Sequence, residues 1–93
     1  MRLTLESGGE IAALVRGAGG ESLVVVISPM LDALTMAQAR ASIAPLAVEL
    51  APSTRLNAVV PGGGADPADI DAAVAFLERA QSTTGQVLEI GKR

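Results

Sequence analysis

Leu3 and Leu5 alternate with Arg2, Thr4 and Glu6, a period of two that predicts a strand with one wet face or an open edge. Ser7-Gly8-Gly9 breaks the pattern. From Glu10 onward Ile11, Leu14, Val15 and Ala18 recur at helical spacing, which predicts a short helix ended by the glycines at 17, 19 and 20. Leu23-Val24-Val25-Val26-Ile27 is continuously apolar and largely β-branched, as in a central parallel strand covered on both faces. This run is the expected centre of the core.

Helical spacing returns between Leu31 and Ala51, where Ala33, Ala37, Ala41, Ala44, Ala47 and Ala51 recur at steps of three or four. Such a stripe of small residues lets another helix approach closely, although the ordinary use of one is packing onto a sheet. Pro45 lies inside the stretch, where it removes a backbone bond and costs about 3 kcal/mol in a regular helix. Either a kink or two segments restarting near Ser42 to Pro45 is expected. Leu56 to Val60 predicts a third strand, closed by Pro61-Gly62-Gly63-Gly64. Asp66 then offers an N-cap, Pro67 suits the first helical position, and Asp69 and Asp71 complement the positive helix end. Ile70, Ala73, Val74 and Leu77 form the expected buried face of this helix, with Phe76 and Ala80 beside them. Ser82-Thr83-Thr84-Gly85 turns into a last strand, Gln86 to Ile90. Strands alternating with helices imply an α/β domain with a four-stranded, mostly parallel sheet over residues 1–93.

Composition narrows what such a domain does. A chain of 93 residues buries only about 60% of the surface it exposes when unfolded, so burial supplied by a partner matters more than in a larger protein. Phe76 is the sole aromatic residue, and the core must be assembled from many small aliphatic contacts. With neither Cys nor His, the chain lacks disulfides, thiolate nucleophiles, the commonest metal ligand and the usual general base. A net charge of −3, with no basic cluster and no Tyr or Trp to stack on bases, argues against nucleic acid and anionic membranes as partners. The apolar runs are too short to span a bilayer and the first residues carry no signal-peptide core, so a soluble cytoplasmic protein is expected.

Two blocks carry a family resemblance. Leu46-Ala47-Val48-Glu49-Leu50-Ala51-Pro52, followed by Arg55-Leu56-Asn57-Ala58-Val59-Val60-Pro61-Gly62, resembles the "LAxELAP…RVNxVxPG" stretch of the short-chain dehydrogenase/reductase family. Asp66-Pro67-Ala68-Asp69-Ile70, Ala73 to Leu77 and Thr84-Gly85-Gln86-Val87-Leu88 resemble that family's "DPxDIAxAVxFL…TGQVLxVDGG" ending. Leu23 to Ser28 is similar to its fifth strand. The resemblance implies a truncated Rossmann-like domain with strands in sequential order. It also places the helices at 10 to 18 and 32 to 51 on one face and the helix at 66 to 80 on the other, because the family's last crossover is left-handed.

Counting back from Pro52, the resemblance aligns the family's catalytic Lys with Met36 and its Tyr with Asp32, while the catalytic Ser falls on Pro29 and Ser28 matches the serine before it. Met36 has no charge to bind a ribose, and Asp32 has no phenolic proton to donate. The glycine fingerprint and the nucleotide-binding half of the family fold have no counterpart here, so no cofactor is expected. Gly17-Ala18-Gly19-Gly20 precedes a strand and reads as a helix end rather than a phosphate loop. Gly62-Gly63-Gly64 has no P-loop Lys and faces Asp66 and Asp69, so it reads as a plain connection. Those carboxylates read as helix-capping groups and not as a metal site.

Three functions are weighed on these grounds. The first is a non-catalytic interaction or regulatory domain that self-associates through the helix from Asp32 to Ala51 or docks on a full-length reductase through the same surface; in the family this helix and its predecessor build the main dimer interface. The second is a small-molecule binding module using the strand ends at Ser28, Pro29, Pro61 and Gly62, where open α/β sheets place ligands. A residual enzyme built on Asp32, Thr35 and Ser28 is the weakest, because no His, Cys or Tyr is present to activate a group. Arg2 and Glu6 on an edge strand would discourage aggregation while leaving pairing with a chosen partner open.

Overall fold

The computed structural model describes residues 1–6 and 10–91. Its elements follow the order β1 (Arg2–Leu5), α1 (Ile11–Ala18), β2 (Ser22–Ile27), α2 (Ala33–Leu50), β3 (Arg55–Pro61), α3 (Pro67–Arg79) and β4 (Val87–Ile90). All three strand pairings are parallel and the spatial order is β1-β2-β3-β4. The expected strand break at Ser7-Gly8-Gly9 lies outside the described residues.

The sheet separates two apolar layers. On one face Leu23, Val25, Ile27, Leu56, Ala58 and Val60 meet Ile11 and Val15 of α1 and Ala39, Ile43, Leu46 and Ala47 of α2. On the other face Val24, Val26 and Val59 meet Ala73, Val74 and Leu77 of α3. Alternate side chains of β2 and β3 therefore serve opposite layers, which is why Leu23 to Ile27 reads as an unbroken apolar run and Leu56 to Val60 as one interrupted only by Asn57. With strands in sequential order and α3 across the sheet from α1 and α2, the third crossover has the opposite hand to the first two. The three-layer α/β arrangement expected from the resemblance is the one observed.

Local chemistry fixes the element ends. Asp32 Oδ1 accepts the Thr35 backbone N–H at 2.7 Å, capping α2, and Asp66 Oδ1 accepts that of Ala68 at 2.8 Å, capping α3 ahead of Pro67. Gly19 ends α1 with φ +76°, a value glycine adopts without penalty. No helix among the described residues is long and apolar enough to cross a membrane.

Several expectations need correction. Gly17 lies inside α1 and does not end it, since nothing about a lone glycine stops a helix whose cap follows two residues later. The stretch containing Pro45 is not two segments: α2 is one helix of 18 residues. Pro45 stands on the exposed side of that helix, away from the sheet. Of the expected buried face of α3, Ala73, Val74 and Leu77 are buried and Ile70 only partly so, while Phe76 beside it is 57% exposed. Asp71 is not a group of the first turn of α3; it reaches across to β1, where Arg2 Nη1 donates to its Oδ1 at 2.6 Å.

Candidate functional site

The two surfaces singled out from the sequence lie in different parts of the fold: the outer side of α2, and the ends of the strands. At the strand ends, Ser28 follows β2 and Pro61 ends its neighbour β3. The polar groups there bond within the chain. Ser28 Oγ accepts the Met30 N–H at 3.1 Å, and the Gly62 N–H donates to the Ile90 carbonyl at 2.8 Å. Pro29 is exposed in the turn that leads to α2, and Leu31 anchors that turn in the core. The turn holds its shape through these local bonds.

The positions aligned with the family's catalytic pair have structural occupations. Asp32 is the N-cap of α2, and its carboxyl is held below the usual range first by the Thr35 backbone N–H and next by the Thr35 side chain. Met36, one turn later, packs its partly buried side chain against the core layer shared by α1, α2 and the sheet. Thr35 is turned toward Asp32 by the same cap. Among the described residues there is no group of three His, Cys, Asp or Glu side chains placed to hold a metal ion.

The alanine stripe of α2 divides sharply. Ala47 is buried, whereas Ala33, Ala37, Ala41, Ala44 and Ala51 are exposed. Packing onto the sheet is done instead by Ala39, Ile43, Leu46 and Ala47, at the i, i+4, i+7, i+8 spacing of one helix side, with Met36 and Leu50 at its margin. Ordinary packing onto the sheet, the alternative use of such a stripe, applies to one of its six members, Ala47. Ile43 and Leu46 supply most of the apolar side-chain area buried on that side, with Ala39 and Ala47 between them.

What remains outside is an apolar seam. Leu34, Ala37, Ala41, Ala44, Val48 and Ala51 recur at alternating steps of three and four, and every one is exposed. Leu34 is 69% exposed and Val48 77% exposed. This is the spacing at which one helix presents knobs to another. The stripe of alanines omitted Leu34 and Val48; their signal was the seven-residue step from Leu34 through Ala41 to Val48, visible only once small and large apolar residues are counted together. Beside the seam, Ala33, Met36, Ala37, Arg40 and Ala41 form a shallow groove with Val87 of β4, and Arg40 is ion-paired with Glu89.

Comparison with known proteins agrees with this geometry. The family described as "SDR-like: Short chain dehydrogenase-like protein" matches residues 7–90. No curated protein and no solved structure matches the chain. A match across nearly the whole length, carried by a parallel sheet whose last helix crosses to the opposite face, makes the chain a member of the short-chain dehydrogenase-like family.

Proposed function

We propose that this chain is a non-catalytic member of its family, a domain that works by association, and that its partner is a second copy docking through α2. The observation that carries the reading is the exposed seam Leu34, Ala37, Ala41, Ala44, Val48 and Ala51. Water-facing Leu and Val on a helix whose opposite side is fully packed have no role within the monomer. Burying each side chain contributes about 1.5–3 kcal/mol. The four alanines between and after them allow two helices to approach to about 8 Å, the short end of helix packing distances. A small domain with a core of aliphatic residues gains a large fraction of its stability from such a contact.

The loss of chemistry supports the same reading. Asp32 and Met36 occupy the reacting positions of the family and are committed to a cap and to packing. Neither donates a proton or holds a cofactor, and the domain acts without one.

Sedimentation equilibrium tests the proposal with the intact chain and with Leu34→Glu/Val48→Glu. A wild-type assembly that loses its α2 contact in the double variant, with circular dichroism unchanged, is the expected result. Equal masses for the two proteins overturn self-association through α2, and co-purification of a full-length reductase that the double variant no longer holds replaces the second copy with that partner.

A further inference from the structure

We infer that β1 is a second association surface, on which another copy adds its own β1 in antiparallel register to make a continuous eight-stranded sheet. The strand lies at the edge of the sheet, bonded to β2 on one side only. Its bonding phase is fixed by the Val24 N–H donating to the Met1 carbonyl at 2.9 Å and the Ser28 N–H donating to the Leu5 carbonyl at 3.0 Å. The backbone groups of residues 1, 3 and 5 therefore face β2 and those of Arg2 and Thr4 face outward, and Glu6, the residue after β1, continues the outward row when a second copy extends the strand by one residue. An open row of this kind is a template for another strand.

The charges on the edge choose the occupant and the direction. A two-fold axis through Thr4 places Arg2 opposite Glu6 of the second copy, Thr4 opposite Thr4, and Glu6 opposite Arg2. These three pairs are the ones whose outward backbone groups exchange hydrogen bonds, so bonding phase and charge complementarity select one register. Parallel alignment of the same edges would set Arg2 beside Arg2 and Glu6 beside Glu6. By alternation, Arg2, Thr4 and Glu6 share the α3 side, where Arg2 already bonds Asp71. Leu3 and Leu5 point to the other side, where Leu5 is buried and Leu3 is only half-buried. In this register Leu3 meets Leu5 of the second copy in the closely spaced pairs between the bonded ones, and Leu3 gains the cover it lacks in the monomer. The pairing is isologous and closes at two copies.

This surface is independent of α2, and the experiment keeps the two apart by working in the Leu34→Glu/Val48→Glu background. In that background sedimentation equilibrium is expected to find a dimer at micromolar concentration. Glu6→Arg and Arg2→Glu each set like charges opposite one another twice, and each is expected to weaken dimerisation by about tenfold or more. Mixing the two charge-reversed proteins in equal amounts is expected to restore the dimer, because each Arg again faces a Glu. A monomeric background protein, a dimer indifferent to both reversals, or two weakened variants that do not recover on mixing would each overturn the inference. Circular dichroism of each variant separates lost pairing from lost folding, and Glu6→Arg leaves the Arg2–Asp71 pair in place.

Discussion

Asn57 and Gln86 are bonded across the end of the sheet: Asn57 Oδ1 accepts the Gln86 backbone N–H at 3.0 Å, while its amide nitrogen donates to the Thr83 carbonyl at 3.0 Å. Asn57 is fully buried and, among the described residues, is the only buried polar side chain. One amide in an otherwise aliphatic strand thus ties the turn before β4 to β3, and with it sets where β4 enters the sheet.

Asn57→Ala is expected to destabilise the domain by about 2 kcal/mol, because it leaves the Gln86 N–H and the Thr83 carbonyl short of partners in a part-buried place. Urea unfolding measures the loss. Amide exchange at Gln86 is expected to speed up more than exchange in β2, which marks the damage as local to the turn.

The two sides of α2 are expected to respond oppositely to substitution. Ile43→Ala and Leu46→Ala cut into the core and are expected to cost about 2–5 kcal/mol. Leu34→Glu/Val48→Glu, measured at concentrations too low for association, is expected to change stability by only about 0.5 kcal/mol per site, the range of ordinary surface substitutions. Chemical denaturation of dilute protein compares them.

Reinstating the family's reacting pair is not expected to restore chemistry. Asp32→Tyr/Met36→Lys supplies a phenol and an amine, but the phenol cannot accept the Thr35 N–H that Asp32 now accepts. The variant is expected to melt at a lower temperature than the parent and to leave nicotinamide cofactors unoxidised and unreduced. Cofactor absorbance and thermal melting read the two effects.

Acid is expected to weaken the fold through two carboxylates. Glu49 is held below its ordinary range by its hydrogen bonds from Arg16, Nε to Oε2 at 2.8 Å and Nη2 to Oε1 at 2.7 Å, and by the charge of that guanidinium. Asp32 is lowered by its cap to Thr35. A carboxylate lowered in the folded state contributes stability that is present above its unfolded value, about 4, and is lost as pH falls through the lower folded value. Melting temperature should therefore be level between neutrality and about pH 5 and decline below about pH 4. Because both groups are exposed, the decline is shallow and is reduced further by salt. Glu49→Gln is expected to remove part of it.

The sequence made the architecture legible because its signals are local. Unbroken β-branched runs mark strands covered on both faces, and Asp66-Pro67 marks the start of α3 in the only way those two residues in tandem explain well. The placement of α3 on the far face was legible through the family resemblance alone, since the general rule of handedness points the other way. The side of α2 that meets the sheet was not legible from the alanines. Apolar residues surround that helix, so its pattern alone does not decide that Ile43 and Leu46 turn inward while Leu34 and Val48 stay out. Phe76, the one aromatic ring, stands exposed beside the α3 face that Ala73, Val74 and Leu77 fill. Asn57 is a lone amide within Leu56 to Val60, and its role depends on a turn some 26 to 29 residues away, beyond the reach of local pattern.

Contact through the outer side of α2 is tested most directly by a single thiol placed at the middle of the seam. The chain has no cysteine, so Ala41→Cys provides a unique site on an exposed position, and Ala72→Cys on the exposed side of α3 provides the control. With a short bismaleimide at micromolar protein, Ala41→Cys is expected to give a covalent dimer in high yield and Ala72→Cys little, with Leu34→Glu/Val48→Glu abolishing the first. Equal yields from the two positions, or an Ala41→Cys protein that stays monomeric under the reagent, would contradict the assignment of α2 as the association surface.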